Sequence, residues 1–346
     1  MKFKKIMAGE LEKCYSASSL SIKGKQKFLF ASEIQADGII LDVESGGRQE
    51  GFPTSGGVMA MVEWPGPEGG FASVYGFYPP FQAEGSGLQL TVLQESGKYT
   101  SKRIWKLPYL HRFEVICSEN RSWLVLSVLC REKKDKDDWS SPGYVAVLPM
   151  EDGKGLEAVC PFILLDGQFH NHGMWKGAVH GKQSVVTASD QGVFAFYPAD
   201  RKEDWKVERL FEEPCGEAVI FDLDGDGQEE LVTISPFHGC FLDVYQESEG
   251  KWEKIWSYPG KLEFAHALWA GMFNGKRVLF CGHRKGDGNL LAVWKEDGKW
   301  FTEIVDSNVG SSNICVATVG REQYLLSANH GQGQYAVYQL MSDQEI

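Results

Sequence analysis

The strongest constraint on the fold is a phrase that returns four times at nearly constant intervals. Each copy is an apolar segment that opens on a polar residue, at His172, Glu217, His266 and Asn313. The intervals between these residues are 45, 49 and 47 residues. A period of this size with β-type patterning is typical of propeller blades. About seven such units take up the 346 residues, so we predict an all-β, seven-bladed β-propeller of four-stranded antiparallel blades.

The units divide the whole chain, residues 1–346, as one propeller domain. Their predicted bounds are about Ser16–Glu50, Gly56–Pro108, His111–Asp166, His170–Pro214, Cys215–Leu262 and Glu263–Val309, followed by a seventh unit. The seventh unit has apolar segments for three strands and ends at Leu340. A propeller must cover its last open edge. We therefore predict that a strand at residues 2–8 completes the C-terminal blade.

The bulk composition excludes several classes of function. A net charge of −12 argues against nucleic-acid binding, which needs a basic surface. No apolar run approaches the roughly 18 residues of a membrane span, and Glu10 and Glu12 interrupt the N-terminal segment before a secretory signal could form. The eight cysteines form no CxxC pair, as is typical of buried thiols in a reducing compartment. We expect a cytoplasmic protein with no membrane or nucleic-acid partner; the sequence does not indicate an oligomeric state.

One loop carries carboxylates at alternating positions around a sharp turn. Positions 1, 3, 5 and 9 of this loop are Asp222, Asp224, Asp226 and Glu230, and position 6 is glycine. Alternating carboxylates around a tight turn converge on one point and form the oxygen cage that Ca²⁺ prefers. The flanking segments have strand patterning, unlike the helices of an EF-hand. We predict one structural calcium site here, and a turn without an ion is the alternative.

The opening residues of the repeated phrase predict a second site, on the opposite face. In an antiparallel blade the first strand begins on the face to which the second strand returns, so both sets of residues share that face. His172, Glu217 and His266 open three consecutive units and are therefore expected to lie close together around the axis. Two imidazoles and a carboxylate suit Zn²⁺, Mn²⁺ or Fe²⁺. The alternative is a hydrogen-bonded polar lid without a metal.

Further polar residues are expected around this ring. All the histidines except His180 fall on the same predicted face. Histidines can transfer protons near neutral pH, and an arginine can hold an anion or enolate. The candidate catalytic residues are His111, His238, His283, Arg284 and His330. By contrast, we expect the charged loop Arg131–Asp138 to be solvated.

Several motifs resemble a known family. The segments Phe264–Gly271, Cys281–Arg284 and Ser327–His330 look like parts of the seven-bladed propeller domain of aldos-2-ulose dehydratase and anhydrofructose dehydratase. The acidic loop resembles the calcium loops of FG-GAP and VCBS repeats. The likeness covers about half the chain. It implies metal-assisted removal of water from a keto-sugar, a metal role for His172, Glu217 and His266, and proton transfer by His238 and His330.

The sequence leaves two main functions open. The first is a metal-dependent lyase or dehydratase that acts by β-elimination on a small sugar or keto-sugar, because elimination needs a base and an electrophile. The second is a non-catalytic, calcium-stabilised propeller that binds a glycan or a protein. A scaffold whose activity has decayed is a third. The concentration of histidines favours an enzyme, since a docking surface is typically rich in exposed aromatics and arginines.

Overall fold

The computed structural model describes residues 1–43, 47–65, 69–150, 156 and 159–341. The described strands form seven antiparallel sheets of four strands each. The all-β, seven-bladed propeller predicted from the repeat is therefore confirmed. Short 3₁₀ segments at Pro80–Gly85, Lys202–Asp204 and His330–Gln332 lie between strands. Within the described residues, none of the helices has the length and apolar character needed to cross a membrane.

The first three blades follow one another along the chain. Blade 1 contains β2 (Cys14–Ile22), β3 (Lys25–Ser32), β4 (Gly38–Asp42) and β5 (Arg48–Phe52). Blade 2 contains β6 (Met61–Trp64), β7 (Gly70–Tyr75), β8 (Gly87–Leu93) and β9 (Tyr99–Lys106). Blade 3 contains β10 (Leu110–Cys117), β11 (Ser122–Val128), β12 (Gly143–Pro149) and β13 (Phe162–Gln168).

The next three blades have the same order of strands. Blade 4 contains β14 (Gly173–Val179), β15 (Lys182–Ser189), β16 (Gly192–Tyr197) and β17 (Lys206–Phe211). Blade 5 contains β18 (Glu217–Phe221), β19 (Glu230–Ser235), β20 (Phe241–Ser248) and β21 (Lys251–Ser257). Blade 6 contains β22 (Glu263–Phe273), β23 (Lys276–Lys285), β24 (Leu290–Glu296) and β25 (Lys299–Asp306).

Blade 7 joins the two ends of the chain. It contains β26 (Ser311–Val319), β27 (Glu322–Asn329) and β28 (Gln334–Leu340), and its outer strand is β1 (Phe3–Glu10). Strand β1 pairs antiparallel with β28, with Phe3 opposite Leu340 and Glu10 opposite Gln334. The predicted closing strand is thus present and extends slightly beyond the predicted residues 2–8.

Tight turns join the first two strands of several blades. In the β22–β23 turn, Asn274 and Gly275 both have positive φ, at 48° and 77°. The β14–β15 turn has the same signs, at 49° for His180 and 69° for Gly181. Two successive residues of positive φ are typical of the two-residue hairpin turn whose twist matches that of the strands. These turns lie at the face opposite the predicted metal ring.

The hydrophobic core lies between the blades. Each of seven clusters of buried side chains found among the described residues joins neighbouring blades. One of them packs Phe28 and Phe30 of blade 1 against Leu326 and Val337 of blade 7 and so closes the ring. The innermost strands of adjacent blades contact one another in a complete circle. Residues at the start of these strands therefore converge on the axis.

Candidate functional site

Backbone irregularities at the start of the inner strands aim side chains at the axis. The pairing register shifts across Tyr15 in β2, His111 in β10, His266 in β22 and Ser312 in β26. A shift of this kind is a β-bulge, which turns a side chain away from its regular direction. The irregularity places Tyr15, His111 and His266 in the wall of the axial cavity, whereas the hydroxyl of Ser312 faces backbone carbonyls.

Three histidines form a cluster at this level. The ring centroids of His172 and His266 are 4.8 Å apart, and His238 lies 5.0 Å from each of them. One ring nitrogen from each residue lies within 4.8 Å of the other two, a separation that allows all three to bind one metal ion. The sequence predicted His172 and His266 as ligands but placed His238 outside the ring.

A glycine explains how His238 reaches the axis. His238 follows β19 in a loop whose backbone lies against Gly216, just before β18. A Cβ at Gly216 would meet the Cα of Phe237 at 2.9 Å and the nitrogen of His238 at 3.1 Å. The loop therefore packs directly on the inner strand because residue 216 has no side chain. A sequence pattern does not reveal this close approach.

The three imidazoles are held in the neutral form that binds metals. Burial is the largest cause that lowers the pKa of His172, His238 and His266 well below the usual range, and neighbouring histidines and arginines lower it further. Nε2 of His238 is buried and has no hydrogen-bond partner. An unpartnered buried polar atom is costly. This nitrogen is therefore available to a ligand.

A hydrogen bond fixes the orientation of one of these rings, and a carboxylate lies behind a second. Nδ1 of His266 lies 2.6 Å from the carbonyl oxygen of Ser312. A carbonyl can only accept, so Nδ1 carries the hydrogen and Nε2 presents its lone pair. Nδ1 of His172 lies 2.8 Å from Oε1 of Glu217, although at an angle outside normal hydrogen-bond geometry. Carbonyls and carboxylates behind the imidazoles are typical of metal-binding histidines.

Glu217 itself takes a different place from the one predicted. Its carboxylate forms an ion pair with Arg112 at 2.9 Å and contacts His172, and it is not part of the three-residue cluster. Burial raises the pKa of Glu217 to about 7, and Arg112 opposes this shift. The structure therefore brings His172, His238 and His266 together, with Glu217 behind His172.

A tyrosine lies between the cluster and a fourth histidine. The hydroxyl of Tyr15 is 3.2 Å from Nε2 of His266 and 3.4 Å from Nε2 of His111. Burial raises the pKa of Tyr15 and lowers that of His111, so the phenol is protonated and the imidazole is neutral. The sequence analysis missed Tyr15 because it began the first unit at Ser16. Aligning Cys14–Ala17 with Ser311–Ile314 would have shown its position.

Two other predicted catalytic residues, Arg284 and His330, form a second group at the rim together with Glu33. Arg284 contacts Nε2 of His330 at 2.7 Å and Glu33 at 3.6 Å, and the same nitrogen of His330 is 2.9 Å from Glu33. Arg284 and Glu33 line the cavity, and His330 lies behind them. His283 is bound within its own loop: Nδ1 donates to the carbonyl of Lys285, and Nε2 accepts from the backbone nitrogen of Asn289.

The cavity above the cluster has a volume of about 320 Å³. Aromatic side chains form much of its wall, namely Tyr15, Phe77, Tyr78, Phe81, Trp139, Phe237 and Phe264. The loop after β11 contributes Lys136 and Trp139 to this wall. Most of the segment Arg131–Asp138 is exposed, as predicted, and Lys133 is the exception. Lys133 is buried with Nζ 3.4 Å from the centre of the Trp139 ring. This cation–π contact holds Trp139 over the cavity.

The acidic loop lies on the opposite face, between β18 and β19. Carboxylate oxygens of Asp222, Asp224 and Asp226 lie within 4.8 Å of one another. Oε2 of Glu230 accepts a hydrogen bond from the backbone N–H of Leu223, while Oε1 of the same side chain is buried without a partner. Burial, reinforced by the aspartates, raises the pKa of Glu230 to about 7.

Two basic residues of blade 6 already contact this loop. Nζ of Lys295 lies 2.7 Å from Asp224, and Arg277 lies 3.4 Å from Asp222. They therefore neutralise part of the loop's charge. The predicted ligands Asp222, Asp224 and Asp226 are together, and Glu230 lies beside them.

Comparisons with known proteins identify the fold. No family model and no curated protein matches the chain. A protein described as a 6-phosphogluconolactonase from Bacteroides uniformis matches with a TM-score of 0.58 at 12% identity, covering 90% of this chain and 89% of that one. The Dos1 propeller matches with a TM-score of 0.56 at 10% identity, covering 94% and 78%. BBS1N in complex with ARL6DN matches with a TM-score of 0.58 at 10% identity, covering 99% and 98%.

These likenesses support the propeller fold but no particular family or activity, because the sequence identities are so low. The predicted resemblance to the aldos-2-ulose dehydratase group and to FG-GAP or VCBS repeats stays a prediction.

Proposed function

We propose that this propeller is a metal-dependent carbohydrate lyase or dehydratase that acts by β-elimination on a small sugar or keto-sugar. The observation that carries the proposal is the cluster of His172, His238 and His266 in the wall of the axial cavity. Neutral imidazoles with fixed orientation and an unpartnered nitrogen fit a divalent transition metal such as Zn²⁺, Mn²⁺ or Fe²⁺. When bound, such an ion polarises a carbonyl oxygen and makes the adjacent carbon more acidic.

The surrounding side chains supply the proton transfers that elimination needs. Neutral His111 faces the cavity and can accept a proton from the carbon beside the carbonyl. Tyr15 keeps its proton and can donate it to the departing oxygen. Arg284 presents a guanidinium that can hold the oxyanion of the enolate. His330 and Glu33 position that guanidinium.

Metal analysis tests the proposal directly. Wild-type protein and the His172→Ala/His266→Ala double variant would be purified without added metal and analysed by element. We expect about one transition-metal ion per chain in the wild type and its loss in the double variant. His180→Ala is the matched control, because His180 lies in a turn on the opposite face. A wild type that contains calcium but no transition metal would overturn the metal centre.

The aromatic wall favours one alternative, a non-catalytic propeller that binds a glycan. Aromatic rings offer flat apolar faces against which sugars can pack, and seven of them line the cavity. A turnover assay separates the two functions, because elimination produces a conjugated carbonyl compound that absorbs in the ultraviolet. Saturable sugar binding without such a product would favour the binding protein.

We also propose that the acidic loop binds Ca²⁺ with a structural role. The convergence of Asp222, Asp224 and Asp226 supports this, as does the unpartnered oxygen of Glu230 next to them. Hard carboxylate oxygens suit calcium. Because Lys295 and Arg277 already neutralise part of this charge, we expect calcium to contribute modestly to stability.

A further inference from the structure

The mouth of the axial cavity carries more positive than negative side chains, although the protein as a whole is acidic. The chain contains 35 lysines and arginines against 47 aspartates and glutamates. Among the described residues that line the cavity, the charged ones are Arg284, Lys136 and a single carboxylate, Glu33. A local excess of one sign in a chain with the opposite net charge indicates a role in ligand selection.

Further cations stand behind the aromatic wall. Nζ of Lys285 lies 5.1 Å from the centre of the Phe264 ring, and the guanidinium of Arg284 lies 5.2 Å from the same centre. Nζ of Lys13 lies 5.7 Å from the centre of the Tyr78 ring. These rings and Trp139, which packs on Lys133, all line the cavity. The wall is therefore formed largely by apolar rings, with lysine and arginine side chains packed against several of them.

Nearby carboxylates offset part of this charge, chiefly that of Arg284. Glu33 is paired with Arg284 and His330. Glu263, opposite Lys285, forms its ion pair with Lys261. Asp137 lies 4.0 Å from Lys136, and both side chains are about four-fifths exposed, so their attraction is weak. Glu217, deeper in the channel, is compensated by Arg112.

The metal cluster adds to the imbalance. All three proposed ligands are imidazoles, and none is a carboxylate or thiolate whose negative charge would offset that of a bound divalent ion. We therefore propose that the substrate of this cavity is an anionic sugar, one that carries a carboxylate or a phosphate group. This inference rests on the proposed function, and it narrows the substrate class. A carboxylate would also acidify the adjacent carbon–hydrogen bond when its charge is neutralised in the site.

Binding of three probes tests this proposal. D-glucuronate, D-glucose 6-phosphate and D-glucose would be titrated by calorimetry into the metal-loaded, full-length protein at low and high salt. We expect at least one of the acids to bind on the order of tenfold more tightly than glucose at low salt, with a smaller difference at high salt. The acid that binds identifies the anionic group as carboxylate or phosphate.

Variants of the rim localise the effect. Lys136→Gln removes an exposed cation and is not expected to perturb folding. Arg284→Gln removes a partly buried cation. Both variants should show a smaller preference for the acid over glucose. Lys25→Gln is the control, because Lys25 is exposed at the opposite face. Equal affinity for acids and glucose, or no binding of any probe, would overturn the anionic substrate. Anion preference in a protein without metal or turnover would instead count against the lyase.

Discussion

The hydroxyl of Tyr15 lies between two imidazoles, and this position gives it a testable chemical role. Replacing it with Phe keeps the ring and removes the group that contacts His111 and His266. We expect Tyr15→Phe to keep its metal and to lose about 10²-fold or more in kcat, the usual range for a proton-transfer residue. Tyr78→Phe is the control, because Tyr78 lines the mouth and is 39% exposed. Unchanged turnover in Tyr15→Phe would remove the phenol from the reaction.

Replacing His283 should instead change how the unfolding free energy of the protein depends on pH. Its Nε2 accepts from the backbone nitrogen of Asn289, and burial lowers its pKa, so the folded protein needs the neutral ring. As pH falls below about 6.5, the unfolded chain gains a proton that the folded chain resists. Between pH 7.5 and 5.5 the wild type should therefore lose up to about 1 kcal/mol more unfolding free energy than His283→Gln.

Chemical denaturation at the two pH values measures this difference. His180→Gln is the control, since His180 is exposed in a turn. If the unfolding free energies of wild type and His283→Gln respond equally to pH, the folded protein does not need a neutral ring at His283. Turnover and metal content of His283→Gln should stay close to wild type, in contrast to the catalytic role that the sequence suggested.

The positions of single residues show which parts of the site could be predicted from the sequence and which could not. The repeat predicted that His172 and His266 share a face with His238, and all three are indeed together. It did not predict that Glu217 turns to Arg112, because the partner comes from a different blade. Bulges at Tyr15 and His111 also escape a pattern of alternating residues, since each inserts one residue into the alternation.

At the scale of elements, the acidic β18–β19 loop combines a proposed calcium site with a basic side chain that already contacts it. Lys295 of β24 reaches Asp224 from the next blade. We expect Lys295→Met to bind Ca²⁺ more tightly than the wild type, because the ammonium no longer competes for the carboxylates. Without calcium the same variant should be less stable, because three close carboxylates then repel one another.

Calorimetric calcium titration and melting curves with and without a chelator check both expectations. Lys299→Met is the control, because Lys299 is exposed in the neighbouring strand. If neither protein responds to calcium or chelator, the loop is a turn without an ion, held together by its basic partners. Equal calcium affinities of the two proteins would show that Lys295 does not compete for the carboxylates.

At the scale of the whole molecule, the period of the repeat carried most of the prediction. Units four to seven were bounded within a few residues of the observed blades, because each keeps the spacing between its opening residue and its paired strands. The closing strand was predicted from the need to cover an edge, and β1 occupies it. The wall of the cavity was not predicted, since loops such as the one carrying Trp139 follow no period.

Closure of the ring should hold the site together as well as the fold. Strand β1 covers β28, and Ile6 and Met7 pack on the cluster that joins blades 7 and 1. At the axial end of the same interface, Oγ of Ser312 lies 3.0 Å from the carbonyl oxygens of both Cys14 and Tyr15 and can donate its one hydrogen to either. The carbonyl of Ser312 in turn accepts from His266. Opening this interface would therefore disturb both Tyr15 and a proposed metal ligand.

Removing residues 1–10 tests this coupling. We expect the truncated protein to melt at a clearly lower temperature, to associate through the exposed edge of β28, and to lose the transition metal. Lys5→Ala is the matched control, because it removes the 2.6 Å ion pair with Asp306 and leaves the strand in place; a surface pair of this kind contributes at most about 1 kcal/mol. A truncated protein that stays monomeric and binds metal like the wild type would show that the site forms without the closing strand. Metal loss in the truncated protein but not in Lys5→Ala would show that the axial cluster depends on a closed ring.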